Sequence, residues 1–349
     1  MNASTFPEMA PHEAWQRMPK VLLHEHLDGG LRPETLLELC RARNVPMPAE
    51  TAQGLADWLY ANSNSGSLLR YLTGFGLTVA AMASVEACEQ VAFEAAEDAR
   101  LDGCVLAEFR MAPLLLEEYE VPGEAVVEAL LSGLKRSRLP CGLIVCAMRT
   151  DAPERTLLSA RLAAKYTGQG VIGFDLAGAE KGFPPMPHRA AIETARDAGL
   201  GITLHAGEAD DGSRVLEAGA LGATRIGHGV NIMRAPDAGT QARWLDDALR
   251  MQLHFEVCPT SNVHTGTVVS LAEHPLRAMR DAGLSVSIST DNRLMSGVTL
   301  TGELHAAHAH MGMSPADLKG MMQEAARVSF LPPAAREKAG AALAQWSPV

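Results

Sequence analysis

The sequence predicts an α/β fold, and within that class a TIM (β/α)8 barrel with a helical insertion after strand 1 and extra C-terminal helices. Two observations carry this expectation. Eight short β-like apolar runs alternate with longer helical patterns along 349 residues, and that alternation implies a parallel sheet. Residues able to bind metal or move protons stand at the ends of four of these runs, where active sites of this barrel lie. An open doubly wound sheet is the alternative, but no G-x-G-x-x-G follows the first run.

The runs, in order, are Val21–Leu23, Cys104–Phe109, Cys141–Met148, Val171–Leu176, Gly201–Leu204, Thr224–Ile226, Leu253–Val257 and Leu284–Ser289. Between them, Ser84–Leu101 places Ala, Val and Glu at helical spacing, with Gly103 just beyond its end. Gly123–Ser132, Pro153–Tyr166, Pro187–Ala198 and Gly239–Arg250 have the same character. One stretch breaks the rhythm. Residues 33–83 separate the first two runs by far more than a usual crossover and hold two helical patterns around Asn62-Ser63-Asn64-Ser65-Gly66-Ser67. A long insertion after a barrel strand reads as a lid over the site, through Leu72 and Phe75. Residues 314–349 read as a helical tail packed outside the barrel, so the whole span 1–349 is expected to be one domain.

Composition narrows the function. The chain is 47% hydrophobic and 20% charged, enough for a sizeable core. A formal net charge of −11 argues against a nucleic-acid partner. No apolar run approaches a membrane span, so no membrane is expected. Pro7, Glu8 and Pro11 stand where a signal peptide needs an apolar stretch. The six cysteines form no C-x-x-C pair and read as reduced core residues. A cytoplasmic location follows as an expectation; the oligomeric state is left open.

The chemistry lies in four segments: His24-Glu25-His26, His205-Ala206-Gly207-Glu208, Gly227-His228-Gly229 and Thr290-Asp291-Asn292. His24 and His26 flank one residue, so strand periodicity puts both imidazoles on one face. Asp28 and a Gly29-Gly30 turn follow. The run Ile202-Thr203-Leu204 puts His205 at a strand tip, and Gly207 turns the chain so that Glu208 points back over the mouth. His228 lies between two glycines with little else to pack against. Together these residues supply imidazoles and a carboxylate for a metal, with a spare acid and a spare imidazole. Such ligands suit Zn²⁺ best, with Fe²⁺, Co²⁺ and Mn²⁺ as alternatives. The remaining histidines, His12, His188, His254, His264, His274, His305, His308 and His310, read as loop or helix residues. A P-C-x-x-C motif is absent. The fourth run ends without lysine, so one metal is expected rather than two.

These segments resemble the adenosine deaminase family. The matching pieces are LLHEHLDGGLRPETLLEL (22–39), AEFRMAP (107–113), GFDLAGAE (173–180), TLHAGE (203–208), RIGHGV (225–230), EVCPTSNVHTGTV (256–268) and STDNRLMSG (289–297). The resemblance implies a TIM barrel with one zinc ion per chain. It also implies hydrolytic deamination of adenosine, and of 2′-deoxyadenosine, to inosine and ammonia. His24, His26, His205 and Asp291 resemble the zinc ligands. Glu208 resembles the proton donor to purine N1. His228 resembles the residue that orients and deprotonates the attacking water, with Asp291 beside it. His26, Asp28, Gly178 and Asn292 form the implied substrate-binding set, Asp28 toward the ribose and the Gly178 backbone toward the purine edge. One position departs from the family, which has two consecutive aspartates where this chain has Asp291-Asn292. The second position faces N7, an acceptor, and Asn292 can donate there at any pH. Aminodeoxyfutalosine and adenine are alternative substrates of the same chemistry. A generic metal-dependent amidohydrolase and an inactive zinc-binding homologue are the further readings.

Overall fold

The computed structural model describes residues 11–347, and its eight strands lie parallel in sequence order. They are β1 Lys20–Leu22, β2 Cys104–Met111, β3 Cys141–Met148, β4 Val171–Ala177, β5 Gly201–Ala206, β6 Arg225–His228, β7 His254–Val257 and β8 Ser285–Ile288. Two hydrogen bonds beyond the strand ends bring the last strand back to the first: Asp291 N–H donates to the His24 carbonyl (2.9 Å) and His26 N–H to the Asp291 carbonyl (2.8 Å). The sheet is thus the expected TIM barrel. The N-terminal reading of Pro7 and Glu8 concerns positions outside the described residues.

The strands carry near-continuous apolar runs because both faces are covered. Leu106, Phe109, Val145, Phe174, Leu204, Ile226, Phe255 and Ile288 are all fully buried. The helices around them show one buried stripe. In Val85–Leu101 the buried residues are Ala87, Cys88, Val91, Ala92, Ala95, Ala96 and Ala99, a helical repeat of small side chains. Ser84 caps that helix by accepting from the Ala87 amide.

The insertion differs from the expected two helical patterns. It holds four helices, Pro33–Arg43, Ala52–Ser63, Leu68–Thr73 and Phe75–Met82. The last two have 6 and 8 residues, too short to show a helical period of their own.

The C-terminal tail forms helices that pack against the barrel strands, and its link adds a contact the sequence did not suggest. Helices Pro315–Val328 and Pro333–Gln345 flank a link that reaches the buried side chains of Glu108 and Arg225. There Ser329 Oγ and the Phe330 amide both donate to Glu108 Oε1 at 2.6 Å. The Phe330 ring lies 3.7 Å from the Arg225 guanidinium. His254 is another correction: it opens β7, with Nδ1 2.8 Å from Ser285 Oγ and Nε2 2.9 Å from Ser287 Oγ. All six cysteines are unpaired. Among the described residues no single helix is long and apolar enough to cross a membrane.

Candidate active site

The four segments converge at the C-terminal mouth of the barrel. His24, His26, His205 and Asp291 each offer one donor atom, and these atoms all lie within 4.8 Å of one another. His26 Nε2 is 3.2 Å from His205 Nε2. Asp291 Oδ1 is 3.3 Å from His24 Nε2 and 3.6 Å from His26 Nε2. Donors at about 2.0–2.1 Å from a tetrahedral ion stand roughly 3.3 Å apart. His24 Nε2 is buried and has no hydrogen-bond partner. The donor set therefore fits a metal ion, and a charge between these atoms would satisfy all four.

A buried charge network orients the imidazoles from below. His24 Nδ1 is 2.9 Å from Glu256 Oε2, and His205 Nδ1 is 3.0 Å from Asp175 Oδ2. Arg110 bridges these acids, 2.6 Å from Glu256 and 2.8 Å from Asp175. Arg225 continues the line, 2.6 Å from both Glu256 and Glu108. Fixing one ring nitrogen of a histidine leaves the other as a set lone pair. Burial lowers the pKa of His26 and His205, which keeps them neutral as metal binding requires. Burial pulls His24 down too, yet the Asp291 and Glu256 carboxylates beside it leave it raised.

Asp291 and His228 both sit at φ 61°, the left-handed region that non-glycine residues avoid. Such strain, of order 1–3 kcal/mol, persists where surrounding structure enforces it. For Asp291 the enforcers are the barrel-closing hydrogen bonds and Ser261 Oγ, which donates to Asp291 Oδ2 at 2.6 Å. Burial would raise the Asp291 pKa, but the His24, His228 and His26 imidazoles around it hold it well below the usual range.

The environment of His228 fixes its polarity. The Leu276 backbone N–H donates to His274 Nδ1 (3.1 Å), so His274 carries its hydrogen on Nε2. That hydrogen goes to Asn262 Oδ1 (3.2 Å), and Asn262 Nδ2 then donates to His228 Nδ1 (3.0 Å). The backbone amide cannot reverse, so neither can the chain. Burial holds His228 well below its usual pKa, so the ring is neutral and its hydrogen sits on Nε2, facing the site.

Glu208 lies 3.6 Å from that Nε2 through Oε2, while its Oε1 is buried without a partner. Burial pushes the Glu208 carboxyl well above the carboxylate range, and the charges of Asp291 and Glu180 push the same way. The neutral acid is thus favoured, and it borders a partly enclosed space.

That space is a chamber of about 270 Å³ bordered by His26, Asp28, Leu72, Phe75, Met148 and Gly178. A smaller recess joins it to Tyr71, His205, Glu208, His228, Asp291 and Asn292. Leu72 and Phe75 come from the insertion. Burial pushes Asp28 up to about 7. Asn292 packs against Gly29, where a Cβ would fall 1.8 Å from Asn292 Oδ1.

Of the site residues named from the sequence, all but His24 border the chamber or its recess, and His24 stands among the four clustered donors. Sequence reasoning assigned no role to Asp175, Glu180, Glu256, Ser261, Asn262 or His274, nor to Arg110 and Arg149. Glu256 and Asp175 were detectable as charged residues inside apolar strands.

Comparison with known proteins agrees with the geometry. Residues 19–346 match the family model described as Adenosine deaminase. An adenosine deaminase of Mycobacterium marinum is 39% identical over 340 residues, covering 93% of each chain. The crystal structure of an adenine deaminase from Arthrobacter aurescens superposes with a TM-score of 0.84 at 24% identity, covering 94% of this chain and 99% of that one. An Arabidopsis N6-mAMP deaminase gives 0.84 at 22% identity, covering 96% and 100%. These two structural likenesses speak for the fold.

Proposed function

The chain belongs to the adenosine deaminase family, and from that premise we propose that it converts adenosine, and 2′-deoxyadenosine, to inosine-type products and ammonia. His24, His26, His205 and Asp291 would hold the metal, and three imidazoles with one carboxylate favour one Zn²⁺. When bound, such an ion supplies an acidified water near pH 7. The observation that carries the reading is Glu208, a buried protonated acid with a free oxygen in the chamber those donors border. It donates to purine N1, which makes C6 electrophilic. Asp291 takes the proton of the attacking water. His228 presents Nε2–H to the same oxygen, a polarity that favours orienting the water over deprotonating it. Leu72 and Phe75 exclude bulk water and keep the acid protonated.

The lining also speaks to the substrate. Among the described residues bordering the chamber, Asp28 and Glu118 are acidic and no lysine or arginine is present. A 5′-phosphate would meet two acids, which disfavours nucleotides. Asp28 Oδ1 is buried and unpartnered, as expected of a group awaiting a sugar hydroxyl. The Gly178 backbone and Asn292 border the same space and would face the purine edge and N7. The six unpaired cysteines support a cytoplasmic location.

The test is an ultraviolet deamination assay of metal-loaded protein on adenosine, 2′-deoxyadenosine, adenine, AMP and aminodeoxyfutalosine. Turnover led by the two simple nucleosides is expected. A preference for AMP or adenine would overturn the assignment of substrate, and inactivity on all five would overturn the reaction.

A further inference from the structure

Glu180 lies in the turn after β4, with 2% of its surface exposed. Its carboxylate accepts four consecutive backbone amides: Gly207 at 2.5 Å, Glu208 at 2.9 Å, Ala209 at 2.7 Å and Asp210 at 3.1 Å. These amides belong to the loop after β5 that carries Glu208. The other side of the same peptide is also pinned. The Glu208 carbonyl accepts from Asn231 Nδ2 at 2.8 Å and Thr267 Oγ1 at 3.1 Å.

The side chain of Glu208 is held less firmly than its backbone: Oε1 has no hydrogen-bond partner, and the carboxyl's side-chain neighbours are His228, 3.6 Å from Oε2, and the Thr265 hydroxyl. Its place is therefore set through its backbone. We propose that Glu180 is a positioning residue for deamination, holding the proton donor Glu208 within reach of the substrate ring nitrogen through these four amides. This rests on the function proposed above.

The chemistry of the acceptor is specific. An ionised carboxylate offers about four lone-pair sites and no hydrogen. Glutamine at this position keeps the shape but turns an NH₂ toward backbone N–H groups. Part of the loop then loses its acceptor and is pushed away. Aspartate keeps the charge and all the lone pairs on a shorter stem. A displacement near 1 Å at a reacting group costs on the order of 10²-fold in rate.

The experiment compares wild type, E180Q, E180D, E208Q and the double variant E180Q/E208Q, all metal-loaded, with kcat, KM, bound metal and Tm measured for each. For E180Q the expectation is a kcat lower by about 10²-fold, KM little changed and metal retained. E180D recovers part of the rate. Because Glu180 acts through Glu208, the double variant is no slower than E208Q alone. A wild-type kcat in E180Q overturns the proposal, as does a double variant whose losses multiply. If E180Q does not fold, E180D and E180D/E208Q carry the same comparison. Wild-type turnover of adenosine is the control that separates this proposal from the functional reading. If wild type prefers another aminopurine, the functional reading falls and the same cycle on that substrate still decides the role of Glu180. A protein inert toward every aminopurine overturns both.

Discussion

Replacing Glu208 by glutamine tests the reaction at its most exposed point. The side chain keeps its shape, and the variant amide can still donate a hydrogen bond to N1. What it cannot do is transfer the proton. General acid catalysis contributes about 10²–10⁴-fold, or roughly 3–5 kcal/mol at 1.36 kcal/mol per decade. That loss should fall on kcat, with KM little changed, because ground-state contacts survive. Bound metal should also be unchanged, since Glu208 is not among the four clustered donors. Stability gives an independent sign. The folded pKa of Glu208 is raised, chiefly by burial and then by Asp291 and Glu180. Between the unfolded and folded values the native state binds more protons, so this group makes stability fall as pH rises. Glutamine removes that fall, and the Tm of the variant should drop less than that of wild type from acid to alkaline pH. The assays are ultraviolet turnover at saturating adenosine, metal analysis and thermal melts across pH. Wild-type turnover in a metal-loaded Glu208→Gln protein would refute the role of Glu208 as proton donor.

Chelation should abolish turnover and lower Tm, with both restored by Zn²⁺, because binding energy adds to folding energy; His205→Ala should show the same losses without rescue, read by metal analysis and melts. Asn262→Asp puts an acceptor in place of the donor at His228 Nδ1 and so shifts the His228 hydrogen to that nitrogen, and kcat should fall by up to about 10⁴-fold, the cost of a wrong tautomer in a comparable relay, with metal retained. Asn292→Asp should bind adenosine well only while its carboxyl is protonated, so KM rises with pH in the variant and stays flat through this group in wild type. Phe330→Ala removes a ring stacked 3.7 Å from Arg225, and should cost about 2 kcal/mol in denaturant unfolding while leaving KM unchanged.

The strands and the chemistry were legible because both depend on local sequence. A parallel barrel strand is buried on both faces, so it reads as an apolar run, and the break in each run marks where the mouth begins. His24, His205, His228 and Asp291 stand at those breaks. The support of the site was less legible, because its partners are remote in sequence. Glu256 meets His24 across 232 positions and Ser329 meets Glu108 across 221. No local period reports such a pairing. The insertion was misread for a different reason. Helices of 6 and 8 residues complete about two turns each, so their apolar residues face the chamber and their neighbours without forming a stripe.

The buried charges explain why this barrel accommodates a divalent ion. Below the mouth, Glu108, Asp175 and Glu256 face Arg110 and Arg225, all five essentially without exposure. Three carboxylates against two guanidiniums leave one negative charge, and buried Asp291 makes it two. Uncompensated charge in such a place costs several kcal/mol per ion. Glu25 adds nothing to the imbalance, because Arg293 Nε stands 2.6 Å from its Oε1. A divalent cation among His24, His26, His205 and Asp291 would offset these two charges. Glu208 forms no ion pair with a lysine or arginine among the described residues, and burial with the Asp291 charge nearby favours its neutral acid. The Asp291 carboxylate that favours a metal also pushes the Glu208 carboxyl up, so the two properties share one charge.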